Sequence, residues 1–326
     1  MRILFIHAGH HVVRYYRGEG VLEQLRRIAP IEITYPTGDV FRDVMNCDVL
    51  YFLRTTDSKS KEYAVMAKNT GRKVWYDLDD DYKAVTPDSN AFMHYQQKSV
   101  QDGFDWMVEN ADVRTFSTKA LMDRYGKPGD EVIPNAIDDY IFPLDYQDVE
   151  RKYIVWRGGA THTADLMYHE DPIKKSIINN PNRLLFMGYN PWWIRSVGES
   201  SYLPYHADYY SYMRALRDRI NPLSVFVPLV NNQFNLCKSN IAALEAIYAG
   251  AFPIVPDMPE WKIPGATVYE NEKEVENCIE LALKHTKEDC AYTHRTNLEW
   301  LKKDYVLSVT NKKRVELLRR LSWLTS

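Results

Sequence analysis

Phe234-Asn235-Leu236-Cys237-Lys238-Ser239-Asn240-Ile241-Ala242-Ala243-Leu244-Glu245-Ala246-Ile247-Tyr248-Ala249-Gly250 reads as a helix with its stop signal. Small and apolar residues dominate positions 241–249, and the spacing predicts a helix over 238–249. Gly250 supplies the left-handed backbone that commonly closes one. The next residues, Ala251-Phe252-Pro253-Ile254-Val255-Pro256, form a short continuous apolar run, as does Ser224-Val225-Phe226-Val227-Pro228-Leu229 before the helix. Such runs fit strands covered on both faces, and strand, helix, strand is the unit of a parallel sheet.

Lys238 and Glu245 lie seven residues apart, two helical turns, so a continuous helix projects both from one face. Asn235 or Ser239 is placed to cap its start. A helix N-terminus with free amides, a hydroxyl and a lysine suits a diphosphate, and Glu245, deeper on that face, suits a ribose diol. The alternative for the same residues is a surface helix whose Lys238 and Glu245 stand in water.

The same alternation extends in both directions. Strand-like runs at 3–6, 31–35, 49–53, 73–77 and 113–117 are separated by helical stretches such as 20–28 and 61–69. Residues 139–151 are polar, aperiodic and interrupted by Pro143, as in an interdomain linker. Strand-like runs then resume at 153–156, 183–188, 224–229, 251–256 and 266–269, and the chain is helical from 272 onward. We therefore expect an α/β protein of two Rossmann-like βα domains, 1–145 and 146–326, facing across a cleft, the second carrying the C-terminal helices. The length of 326 residues accommodates two such domains. Ligands of these sheets bind beyond the carboxyl ends of the strands.

Composition narrows the function. Lys and Arg (41) nearly cancel Asp and Glu (44), which excludes a broad basic surface for nucleic acid or anionic membrane but leaves room for a local groove. Cys47, Cys237, Cys278 and Cys290 are widely spaced, so neither a disulfide framework nor a zinc site is implied and a reducing cytoplasm is expected. The opening apolar run is too short for a signal peptide, and no window reaches the length of a membrane span. The 23 Tyr and 8 Trp exceed what a core requires, and they suit either stacking on sugars and bases or partly buried packing.

Trp156-Arg157-Gly158-Gly159, with His162 and Asp165, reads as a strand-to-helix turn in which glycines admit a phosphate and Arg157 neutralises it. Together with the 234–250 segment and Val132-Ile133-Pro134-Asn135-Ala136-Ile137-Asp138, it resembles the GT-B glycosyltransferases. The resemblance is to the retaining family related to glycogen and sucrose synthases, in its compact bacteriophage and bacterial branch. That family carries two acids around the helix start; here Glu245 matches the second, while Cys237 stands eight residues before it, where the first is missing.

The resemblance implies a nucleotide-diphosphate sugar as co-substrate, with no permanently bound cofactor and no metal. It assigns Arg157, Gly158, Gly159, His162, Asn235, Lys238, Ser239 and Glu245 to the donor. It also implies retention of configuration and an acceptor hydroxyl on DNA, as a hydroxymethylated base in a phage, or on a cell-surface glycan or lipid-linked sugar. The Cys237 departure keeps open a silent nucleotide-sugar-binding module.

Asp77-Leu78-Asp79-Asp80-Asp81 places four carboxylates in five residues, which repel unless something positive is nearby. A divalent metal site is one reading; acids at the cleft mouth orienting an acceptor are the other, which the resemblance favours. We therefore expect Asp79 and Asp80 to serve the reacting groups, and the resemblance adds His94, which follows the acidic run near where the family has a cleft histidine that contacts the reacting sugar. His10, Arg14, Tyr16 and Arg17, after the first strand, are the candidates for acceptor contact, the alternative being a loop packed by cation–π contacts. The aromatic segments 189–193 and 204–210 fit base stacking or outer packing equally.

Overall fold

The computed structural model describes residues 1–8, 12–198, 200–204, 206 and 208–321. Among these residues, twelve strands form two six-stranded sheets, parallel throughout. The first contains β1 (Arg2–His7), β2 (Glu32–Thr34), β3 (Val49–Leu53), β4 (Lys73–Leu78), β5 (Val113–Phe116) and β6 (Glu131–Val132), in the order β2-β1-β3-β4-β5-β6. The second contains β7 (Ile154–Gly158), β8 (Leu184–Gly188), β9 (Ser201–Leu203), β10 (Ser224–Phe226), β11 (Phe252–Pro256) and β12 (Thr267–Tyr269), in the order β9-β8-β7-β10-β11-β12. Counted from β7, this is the 3-2-1-4-5-6 order of the doubly wound dinucleotide fold.

The apolar runs are continuous because helices cover both faces of each sheet. Every residue of β3 and of β11 is buried. Helix starts are set by local side chains: Asp39, Asp57, Thr118 and Asp208 each accept a backbone N–H of the following helix, and Thr286 forms a reciprocal capping box with Asp289. Gly250 adopts φ +77°, closing the helix before β11.

Three departures from the expected elements have physical causes. The helix expected over 238–249 begins only at Ile241 (Ile241–Tyr248), and a separate short helix, Gln233–Leu236, precedes it, because residues 237–240 turn aside to meet the first domain. The helix expected from 20 begins earlier as a π-helical segment, Arg14–Glu19, running into Gly20–Leu25. The last helix, Leu307–Arg320, expected with the second domain, lies against the first sheet. Its Val315, Leu317 and Leu318 pack into the first sheet's core with Leu22 and Val49, and Asn311 donates to the Val21 carbonyl at 3.0 Å. Val306 bridges to Ile137 just before that helix, so the chain crosses back between domains there.

The helix Lys98–Asn110 lies against the loop after β3 so closely that a Cβ on Gly103 would stand 1.8 Å from the Thr56 carbonyl oxygen. Gly103→Ala is expected to destabilise the protein by about 3 kcal/mol or more, read as a lower denaturant midpoint with unchanged slope.

Candidate functional site

In an open parallel sheet, a ligand crevice opens where neighbouring strands send their helices to opposite faces. The two strand orders place these points between β1 and β3 in the first sheet and between β7 and β10 in the second. Both point into one cleft of about 530 Å³, lined from the first domain by Val12, Tyr16, Arg54, Asp79, Asp80 and His94, and from the second by Arg157, His162, Lys238 and Glu245. A shallower depression of about 680 Å³ around Arg2, Cys47 and Arg72 lies at the amino ends of the first sheet, away from both switch points.

The wall from the second domain is cationic. Arg157, at the end of β7, places its Nη2 2.5 Å from the Glu245 carboxylate, and its buried Nε has no hydrogen-bond partner. Burial alone would lower the Arg157 pKa, but the Glu245 carboxylate more than offsets this and holds the guanidinium charged. Glu245 is buried and also accepts hydrogen bonds from the Tyr16 hydroxyl and, at 2.6 Å, from Tyr212. Lys238 lies in the link between the two short helices, over the Phe234 ring and 3.6 Å from Asp80 of the opposite domain. Lys238 and Glu245 thus do not share a helix face; Glu245 pairs with Arg157 and Lys238 with Asp80.

His162 lines the same wall, its Nδ1 3.0 Å from Asp165. Burial lowers the His162 pKa, and the Lys238 and Arg157 charges lower it further against the pull of Asp165. Gly158 leaves no room for a side chain, since a Cβ there would lie 2.9 Å from the Trp156 ring and 3.3 Å from His162. Gly159 lines the cleft.

Asn235 and Ser239 are not the expected caps. Asn232 caps the first short helix, and Asn235 is buried with its amide donating to Asp165 at 2.8 Å and to the Val230 carbonyl at 2.9 Å. Ser239 lines the cleft and accepts from Asn135 of the first domain at 2.7 Å. Cys237 is buried in the first domain's core with Tyr82 and Leu121, its carbonyl accepting from Thr118 at 3.0 Å and its thiol 3.7 Å from Asp81. An acid at 237 would be buried beside Asp81, so the missing glutamate could not reach the cleft from here.

The acidic run is resolved carboxylate by carboxylate, each facing a cation of the protein. Asp77 is fully buried in a two-pronged pair with Arg17, both contacts at 2.7 Å. Asp79 lies 3.2 Å and Asp80 3.4 Å from Arg54, and Asp81 lies 2.6 Å from Arg124. Burial pushes the Asp79 carboxyl up to about 6, with Arg54 pulling against it. Arg54 was not among the expected residues. It ends β3 with φ +60°, outside the usual range for a side chain of its size, and from there also reaches Tyr82 at 2.8 Å and Tyr95 at 3.2 Å. The charged residue terminating an apolar strand was its only sequence signal.

His94 is exposed at the cleft edge on Phe92–Tyr95. Tyr16 enters the cleft, whereas Arg17 is fully buried and also donates to the Ile133 carbonyl, so it is unavailable to an acceptor. Arg14 pairs with Glu19 and is not part of the lining. His10 lies outside the described residues. Of the aromatic surplus, Tyr15 and Tyr16 pack on Tyr209, with ring centroids 4.4 and 4.7 Å apart, and Phe142 joins them; these rings seal the two domains together.

The fold is that of the GT-B class: two facing doubly wound domains with a helix returning from the second to the first. No protein-family model matches the chain, and no curated protein sequence matches it significantly. Solved structures do resemble it in fold. An alpha-glucosyltransferase in complex with UDP and a 13-mer DNA superposes with a TM-score of 0.67 at 13% identity, over 98% of this chain and 99% of that one. Anabaena Alr3699/HepE in complex with UDP and glucose gives 0.64 at 14% identity over 98% and 100%. The lipopolysaccharide outer core galactosyltransferase WaaB gives 0.58 at 12% identity over 98% and 99%. Among the described residues, no helix is long and apolar enough to cross a membrane.

Proposed function

We propose that the protein is a glycosyltransferase that moves a sugar from a nucleotide-diphosphate donor to an acceptor hydroxyl. The observation that carries this is the pair of cations, Arg157 and Lys238, with His162 beside them at the second switch point, facing Asp79 and Asp80 across one cleft. Neighbours of the same fold solved with UDP support it.

The diphosphate lies against Arg157 and Lys238, with the Gly158-Gly159 backbone and Ser239 beside it. Glu245 receives the ribose hydroxyls once the donor's phosphates compete for Arg157. Asn235 acts behind this surface by holding the loop after β10. Breaking the bond from the sugar's anomeric carbon to the phosphate oxygen leaves charge on the diphosphate, which the two cations stabilise without rearranging. The acceptor oxygen bonds to that carbon, and for retention its proton passes to the leaving phosphate on the same face. Asp79, Asp80 and His94 orient the acceptor hydroxyl, and Tyr16 lines its approach.

The first-domain wall favours an uncharged sugar hydroxyl, because Arg17 is buried, Arg14 is paired with Glu19, and Arg54 is committed to Asp79 and Asp80. A modified base in DNA is the second reading, supported by the neighbour bound to DNA. Transfer and hydrolysis with a panel of labelled nucleotide sugars test the activity. Nucleotide release with any donor is expected; binding without release identifies a silent binding module. Activity on DNA that falls steeply with salt selects the DNA acceptor, and salt-insensitive activity on a free glycan selects the sugar.

A further inference from the structure

Asp165 spans the two loops of the second switch point. It stands on the first turn of the helix Thr163–Tyr168 after β7 and is buried. Its Oδ2 faces His162 Nδ1 at 3.0 Å, while its Oδ1 accepts the Val230 N–H at 3.0 Å, from the loop after β10, and the Asn235 side-chain amide at 2.8 Å, from the short helix that follows that loop. Burial alone would raise its pKa; the hydrogen bonds from His162 and Val230 and the nearby Lys238 charge bring it below the ordinary carboxylate value, so it is ionised at neutral pH.

A carboxylate only accepts hydrogen bonds, so the proton between this pair belongs to His162 Nδ1. Neutral His162 then carries a lone pair on Nε2, its remaining nitrogen. A lone pair cannot donate to a phosphate oxygen, and that nitrogen must gain a proton before it can. The charged groups facing His162 are Arg157 from β7, Lys238 from the 237–240 link and Asp165 from its own helix; Glu245 and Asp80 lie behind the first two as their partners. With the cleft empty, the two cations oppose protonation of the ring. A diphosphate between them reverses that balance.

We infer that Asp165 is a positioning residue which, by setting the tautomer of His162, couples binding of a nucleotide diphosphate to uptake of one proton from solvent. The inference rests on the donor site proposed above. Asp165→Asn turns an N–H toward Nδ1, moves the ring proton to Nε2, and lets the neutral ring donate directly, so the coupling disappears.

The test is calorimetric titration of the full-length protein, His162→Gln and Asp165→Asn with UDP, ADP, GDP and dTDP at pH 7.5, in two buffers of different ionisation enthalpy, using the tightest ligand. The nucleotide's own phosphates contribute equally to all three proteins. Wild type is expected to take up between half and one proton more than His162→Gln, and Asp165→Asn to fall to the His162→Gln value. Between pH 8 and pH 6, wild type should tighten by up to about 10-fold relative to His162→Gln. Equal uptake by wild type and His162→Gln overturns the inference, as does full uptake by Asp165→Asn. The nitrogen NMR spectrum of the wild-type ring provides a check that needs no variant: an Nε2–H tautomer in the free protein overturns the role of Asp165. Failure of wild type to bind any of the four nucleotides overturns the donor site itself.

Discussion

Lys238→Ala is expected to lower kcat/KM for the nucleotide-sugar donor on the order of 100-fold, the range seen when a charged donor to a developing oxyanion is removed. Stability should change little, because Asp80 keeps Arg54 at 3.4 Å when Lys238 is gone. Arg157→Met should reduce turnover at least as much and also lower the melting temperature, since Glu245 would stay buried with only the Tyr16 and Tyr212 hydroxyls to face it. Steady-state kinetics alongside a thermal melt separates the two. Unchanged kcat/KM in Lys238→Ala would remove that residue from the phosphate site.

Arg17→Met is expected to cost on the order of 3–5 kcal/mol of stability, the penalty for stranding a buried charge, here that of Asp77. In a protein of this size that corresponds to a fall in melting temperature of roughly 10 °C. Replacing both partners, Arg17→Met with Asp77→Leu, should recover part of the loss because the Asp77 charge is no longer stranded, and only part because buried Arg314 also loses that carboxylate. Had Arg17 been an acceptor-binding residue, the single variant would melt normally and raise the acceptor KM. Its complete burial makes the stability loss the expected result.

Much of the architecture is legible in the chain because a parallel sheet covered on both faces demands unbroken apolar strands, and those runs are visible without knowing what covers them. The break at 237–240 is not. Nothing local forbids a continuous helix there; the segment turns because Cys237 has a place in the other domain's core and Ser239 a partner in Asn135. The same limit separates Arg14, Tyr16 and Arg17. They share a short stretch of chain, yet one pairs on its own helix, one enters the cleft and one enters the core, according to how a π-helical segment is rotated against β3.

By itself, the sequence determined the βα alternation, its interruption and restart, and the residue types that line the cleft, since periodicity and side-chain chemistry are local properties. Tertiary structure alone decided the pairings: Glu245 of the helix Ile241–Tyr248 with Arg157 of β7, Lys238 with Asp80 across two domains, and the acidic run with Arg17, Arg54 and Arg124. Charges find partners by distance in space, and the order of the chain does not encode that distance until both sheets have been brought face to face.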